Sequence, residues 1–281
     1  MKIRDSTPGS LAAVSLTQRG VLYPARLPTF TRLAAPAEVS AEVSALVRWF
    51  WIPEWNIAPG RSSRQHLIAF PACNLVVEPD IVGLSGPTTR ASHRDLTGTG
   101  WAVGALLRPA AVPFLTKDPA TLRDGYEPRD LPALAGPVRE AMAASDAKPE
   151  ERHSRAVGVF AAWLLETVPT PTQEGLLANA MAELIENDPQ VRTVEDAARR
   201  LHTSARTLQR LARRHVGLPP LAMIRRRRLQ EAAQRLRADP QANLAGVAAD
   251  LGFADHAHLA HEFRAVLGIN LSAYRDRASQ R

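Results

Sequence analysis

One helical pattern occurs twice near the end of this 281-residue chain. The stretches from Val194 to Gly217 and from Leu244 to Gly268 both read as helix, tight turn, second helix and glycine stop. Setting Val194 on Leu244, Ala198 on Ala248 and Leu201 on Leu251, with one extra residue allowed in the second turn, puts Leu208 on Leu259, Ala212 on Phe263 and Gly217 on Gly268. A pair of short helices that bury one apolar face against a long neighbour has few folds open to it. Two such helix-turn-helix units in series form a device for reaching DNA at two places.

The local signals agree with that pattern. Thr193 stands where an N-cap is wanted, with Glu195 and Asp196 in the first turn, where the helix dipole favours acids. Val194, Ala197, Ala198 and Leu201 form an inward face, His202 to Ser204 is the turn, and Ser204 caps the second helix. On that helix Leu208, Leu211 and Ala212 point inward, and Arg206, Gln209, Arg210 and Arg213 take the opposite side. Arg forks onto guanine and Gln onto adenine, so this face suits a major groove. Pro219 and Pro220 then open a helix that runs to about Arg237. Its length of roughly 27 Å is near the ~34 Å between successive major-groove faces. On it, Arg225, Arg226 and Arg227 are expected at phosphates or solvent, and Arg228 in a structural ion pair. The second unit starts at Asn243, turns at Gly252-Phe253 and presents His256, Ala257, Ala260 and His261 on a helix from Asp255 to Leu267.

Charge follows the same division. The chain carries a net +7, but residues 192–237 hold thirteen arginines against three acids. From residue 238 onward four arginines meet five acids, so the positive field is expected on the first unit and the joining helix. A polyanion is the natural partner of such a patch, and the first unit is expected to supply most of the affinity.

The front half has another texture. Val47–Ile52, His66–Phe70, Asn74–Glu78 and Gly100–Leu107 are short, rich in aliphatic or aromatic residues and bounded by turn residues, and they read as strands of a small barrel or sandwich. Helices follow over Leu131–Ala144 and Glu150–Thr167, and Val168-Pro-Thr-Pro-Thr172 breaks the pattern. The fold class is therefore α+β in two domains. Residues 1–130 form a β-rich sensing domain, 131–172 a helical connector and linker, and 173–281 an all-α DNA-binding domain.

The C-terminal residues resemble the AraC/XylS-type DNA-binding domain from about Gln173 to Arg275. The resemblance is carried, in order, by Ser204-Ala-Arg-Thr-Leu-Gln-Arg-Leu211, Gly217, Arg228-Leu-Gln-Glu-Ala-Ala-Gln-Arg-Leu236, Leu251-Gly-Phe253, His258-Leu259, Phe263-Arg264 and Gly268-Ile-Asn-Leu-Ser-Ala-Tyr-Arg275. It implies sequence-specific promoter binding by seven helices with two readers. It also places base contacts at Arg206, Gln209 and Arg210 and at His256, Ala257, Ala260 and His261. The chain departs from the family pattern at His261, His256, Ala254 and Ala212; with Ala254 in place of a capping serine, Asp255 is expected to cap. The segment Gly104-Ala-Leu-Leu-Arg-Pro-Ala-Ala111 resembles an element in the cupin-like N-terminal domains of one subgroup of these regulators. That implies a domain that senses a small molecule or mediates dimerisation. Trp49, Trp51, His66, Phe70 and Trp101 are its candidate ligand-binding residues, each with core packing as the alternative.

Other chemistry fits less well. One cysteine, Cys73, makes no internal disulfide and points to a reducing, cytoplasmic setting. The run Leu11–Leu16 is too short for a signal peptide, and no stretch approaches the ~18 apolar residues of a membrane helix. His256, His258 and His261 lack the four-ligand shell of structural zinc. In a cupin-type metalloenzyme His66 and His93 would be the candidate ligands, but the front half has no His-x-His pair followed by Glu, and a facial triad needs two His and a carboxylate converging. A DNA-repair enzyme fused to this reader needs more than one cysteine. The expectation is a regulator with no catalytic residues, cofactor or resident metal. Its partners would be double-stranded promoter DNA and a small-molecule effector, with RNA polymerase and a homodimer as open additions and no membrane.

Overall fold

The structure, a computed structural model, describes residues 30–33, 40–67, 71–90 and 92–279. In the N-terminal part the elements are β1 (Phe30–Leu33), α1 (Ala41–Leu46), β2 (Val47–Asn56), β3 (Ser63–Leu67), β4 (Asn74–Val77), β5 (Val82–Ser85), β6 (Ser92–Leu96), β7 (Thr99–Trp101), β8 (Val103–Leu107), α2 (Val112–Leu115), β9 (Tyr126–Pro128), α3 (Pro132–Ala143) and α4 (Pro149–Thr167). A 3-10 turn occupies Pro119–Leu122. The main sheet is antiparallel in the order β1-β2-β8-β4-β5-β9, with β7 added on the far end of β2. β3 and β6 pair separately as a ribbon. Among the described residues β1 and β9 do not pair with each other, so the sheet is a half-barrel rather than a closed one. The strand expected over Val47–Ile52 continues through Pro53 to Asn56, and the Pro53 carbonyl still accepts from Ala102 N–H at 3.1 Å. Ala102 in turn splits the expected strand Gly100–Leu107 into β7 and β8.

One face of the sheet is covered by α1, α3 and α4. Phe50 and Ile52 from β2 and Leu75 and Val77 from β4 meet Leu134, Val138, Phe160 and Leu164 in one core. Phe50 and Phe160, both fully buried, meet edge to face at 5.6 Å. Further along the same face of β2, Glu54 accepts hydrogen bonds from Arg152 and His153 on α4. Helices α3 and α4 are therefore part of the N-terminal core. The stripe Ala156, Val157, Phe160, Ala161 and Leu164 needs an apolar partner, and the sheet supplies one.

The C-terminal part consists of α5 (Gln173–Asn187), α6 (Val194–Arg200), α7 (Ala205–His215), α8 (Pro220–Ala238), α9 (Leu244–Asp250), α10 (His256–Leu267) and α11 (Leu271–Ser279). It holds two separate cores. Met181, Ile185, Leu208, Leu211, Met223 and Ile224 belong to the first, and Leu229, Leu236, Phe253, Leu259, Phe263 and Tyr274 to the second. Helix α8 gives its first half to one core and its second half to the other. Among the described residues no helix is long and apolar enough to cross a membrane.

The caps explain where these short helices begin. Thr193 and Asp196 form a reciprocal capping box on α6, and Ser204 caps α7. Asn243 caps α9, and Asp255 caps α10 through His258 N–H at 2.7 Å. The two turns match as the repeat requires: His202 and Gly252 occupy equivalent places with φ of 49° and 72°. A left-handed backbone costs a non-glycine residue about 1–2 kcal/mol, more than the entropy a glycine loses on folding. His202→Gly is therefore expected to stabilise the protein by up to about 1 kcal/mol in urea titration. A loss of stability would mean that the imidazole itself holds the turn.

The N-terminal domain docks on the first unit through Arg108–Ala110, just past the end of β8. Arg108 donates to Glu183 at 3.2 Å, the Pro109 carbonyl lies 2.9 Å from His215 Nδ1, and Ala110 N–H donates to Asn179 Oδ1 at 2.9 Å. Asn179, only 7% exposed, also donates Nδ2 to the Ala45 carbonyl at 2.8 Å. An amide tied at both ends in a buried seam fixes the register of the two domains. Arg48 pairs with Glu186, and Arg123 donates to the Gly217 carbonyl at 3.1 Å.

Candidate nucleic-acid interface

The first reader, α7, has an apolar side held by Leu208, Leu211 and Ala212, all fully buried. Its opposite side leaves Arg206, Gln209, Arg210, Arg213 and Arg214 exposed. Gly217, at φ 81°, stops the helix, and its N–H donates back to the Ala212 carbonyl at 2.8 Å. Among the described residues Arg206 and Arg213 carry no ion pair. Arg210 and Arg214 are different: each donates to the carboxylate of Glu174 on α5, at 2.9 and 3.1 Å. Arg210's hydrogen bond is the main reason the Glu174 carboxyl sits below the usual carboxylate range, although partial desolvation opposes it.

The second reader, α10, buries Leu259, Phe263, Val266 and Leu267. His256, Ala257 and His261 are exposed, while Ala260 is half-buried against the second core. His258 meets the Phe253 ring edge-on at 5.5 Å, and its Nδ1 accepts from Ala254 N–H at 3.4 Å. It is thus occupied within its own turn. Among the described residues no three His, Cys, Asp or Glu side chains gather as metal ligands would.

The joining helix departs most from expectation. All six arginines of α8 have partners within the protein, although only Arg226 and Arg227 are buried. Arg225 pairs with Glu262 on the second reader. Arg226 is only 3% exposed and donates to Thr88 Oγ1 of the N-terminal domain at 3.1 Å. Burial pulls its guanidinium down to about 10, and the charge of Asp124 opposes that shift. Arg227 donates to the Val191 carbonyl at 3.0 Å and pairs with Glu231. Arg228 lies 4.0 Å over the Phe253 ring. The ion pair expected for it is replaced by a cation–π contact, because the aromatic ring of the second turn lies beneath it. Arg235 binds Asp250 and Glu231, and Arg237 donates to Tyr274 OH at 3.1 Å. Arg226 and Arg227, expected at phosphates or solvent, are buried instead, whereas the Arg225 side chain stays 43% exposed beside Glu262. Each has a partner outside α8, which the count of charges along the helix could not reveal.

These contacts also tie the two units together. Arg192, at the entry to α6, donates to the Asp250 carbonyl at the end of α9, and Arg235 grips the Asp250 carboxylate at 3.0 Å. The readers are thus joined by the continuous helix α8 and by a charged brace across their turns.

Of the candidate ligand residues in the front domain, Trp49 and Trp51 do not share a face of the sheet with Trp101. Trp49 and Trp51 lie on the face of β2 opposite Phe50 and Ile52, since side chains alternate along a strand. The Trp51 indole lies over Gly104, where an added Cβ would come within 2.1 Å of the ring, and its Nε1 donates to Asn74 at 3.2 Å. Trp101 packs against the helix-covered core on the other face. The backbone of His66 pairs with His93 in the ribbon. The His66 side chain and the whole of Phe70 lie outside the described residues. Cys73 is fully buried, and desolvation pushes its thiol up to about 12, which keeps it from reacting as a thiolate.

Residues 197–277 match the model of a helix-turn-helix domain, and residues 38–127 match a domain of unknown function, DUF6597. No curated protein matches the chain. Among solved structures, it is similar to ToxT from Vibrio cholerae O395, with a TM-score of 0.42 and 11% identity over 82% of this chain and 98% of that one. It is also similar to ToxT from Vibrio cholerae strain SCE256 with an unsaturated fatty acid bound, with a TM-score of 0.38 and 11% identity over 80% and 90% of the two chains. Two capped helix-turn-helix units stand in series, and the helix-turn-helix domain match runs from the first unit through the second.

Proposed function

We propose that the protein reads a bipartite operator with α7 and α10. Arg206, Gln209, Arg210 and Arg213 serve the first half-site, and His256, Ala257, Ala260 and His261 the second. The observation that carries this reading is the pair of capped helices with exposed polar faces at the two ends of one helix about 28 Å long. The first reader carries most of the affinity, since its arginines meet phosphates and guanines while the second offers only histidines and alanines. Selection of bound fragments from random DNA should return a motif with two parts at fixed spacing. In titrations at one salt concentration, Arg206→Ala should cost operator affinity about tenfold or more, and His261→Ala less. A single short motif, or equal losses, would overturn this assignment.

The N-terminal domain, residues 1–130 with the helices of 131–172 packed onto it, senses a small-molecule effector in this reading. It is well placed to do so because Arg108–Ala110 rests directly on the first unit. A change in melting temperature on adding a ligand from a metabolite panel would identify the effector. The setting is cytoplasmic. A second copy across α3 and α4, and RNA polymerase at the promoter, are the further partners. Sedimentation at micromolar concentration that shows only monomer would remove the first.

A further inference from the structure

Glu174 stands in the first turn of α5, outside the reader, yet both of its carboxylate oxygens are taken up by the reader's side chains. Oε2 accepts from Arg210 Nη1 at 2.9 Å, and Oε1 accepts from Arg214 Nη1 at 3.1 Å, one turn further along α7. Oε1 also lies 3.4 Å from Nε2 of His215. That imidazole is only 5% exposed, and its other nitrogen faces the Pro109 carbonyl. The carboxylate is therefore held from several sides and cannot swing freely. Arg210 remains more than half exposed and retains a free edge. Its guanidinium has five donors, and with Nη1 turned to Glu174 the Nε and Nη2 edge is left as a planar fork. That fork matches O6 and N7 of guanine. An arginine restrained on one edge loses little further side-chain freedom when its other edge docks.

We propose that Glu174 is a specificity-determining positioning residue, whose carboxylate buttresses Arg210 so that its free edge reads one guanine of the first half-site. This rests on the reading that α7 enters a major groove. A carboxylate beside a groove also repels phosphates, so its two effects have opposite signs. It weakens binding to any DNA and sharpens the choice of one base. A residue that only neutralised charge or propped up the fold would not separate these.

The test uses the full chain, the operator recovered by fragment selection, and a set of operators changed one base pair at a time. In Glu174→Gln, affinity for unrelated DNA should rise a few-fold at low salt, and the salt slope should steepen by up to about one phosphate equivalent. The penalty for replacing one guanine of the first half-site should fall by about tenfold, with the other positions unchanged. Glu174→Ala should give the same pattern, more strongly. Discrimination unchanged at every position, or lost evenly across the site, would overturn the proposal. Arg206→Ala is assayed beside these variants. If it loses operator binding while Glu174→Gln keeps full discrimination, the groove reading stands and the buttress falls. If neither variant changes binding, the groove reading itself falls, and the buttress with it.

Discussion

Gly217→Ala is expected to destabilise the protein by about 2–4 kcal/mol, the sum of left-handed strain and steric overlap. The φ of Gly217 is 81°, which an alanine adopts only with strain. A Cβ there would also stand 2.6 Å from the Pro119 carbonyl carbon and 2.8 Å from the Ala120 nitrogen, and backbone atoms cannot turn aside as a side chain tip can. Gly252 supplies the control. Its φ is 72°, but an added Cβ meets nothing closer than Arg192 Cδ at 3.5 Å, an ordinary contact. Gly252→Ala should therefore cost only the strain, about 1–2 kcal/mol. Urea titrations of the two variants separate the terms. The Gly217 variant should also be cut faster by protease near 168–172, because its overlap forces the N-terminal domain away from the first unit. Equal costs for the two alanines would mean that the domains do not meet at this glycine in solution.

Phe263→Ala is expected to remove about 3–5 kcal/mol, the usual cost of emptying an aromatic site in a core. Phe263 is fully buried and lies 5.5 Å from the Tyr274 ring, within the core shared by α8 to α11. That core is separate from the one beneath α7, so the loss should fall on the second unit alone. Unfolding monitored by circular dichroism should split into two steps, and selected DNA should retain the first half of the motif and lose the second. A single transition shifted as a whole would show that the two units fold as one.

The parts of the fold governed by near neighbours were legible in the sequence. The capping of α6 by Thr193, of α7 by Ser204 and of α10 by Asp255 follows from residues three apart, and the buried faces of α7 and α10 follow from helical spacing. The glycine stops at 217 and 268 do likewise. What depends on distant partners was not legible. Arg226 and Thr88 are 138 residues apart, and Arg210 and Glu174 are 36 apart. No periodicity marks such pairs, so a helix rich in arginine looked like a phosphate-binding face although Arg226 and Arg227 are buried against partners elsewhere in the protein. The front domain shows the same limit. Its strands were readable from composition, but the alternation of faces that divides Trp51 from Trp101 depends on strand register and on the break at Ala102. The resemblance carried by Gly104–Ala111 pointed to a sensing domain without indicating that Arg108–Ala110 within it rests on the first unit.

Arg226 is fastened to Thr88 near the start of α8, and the rest of that helix runs on without proline or glycine into the second core. Any tilt of such a helix about its contact with the N-terminal domain is magnified along its length. A tilt of about 10° at Arg226 would carry the far end, roughly 18 Å away, through about 3 Å, enough to lift the second probe out of hydrogen-bonding reach of its bases.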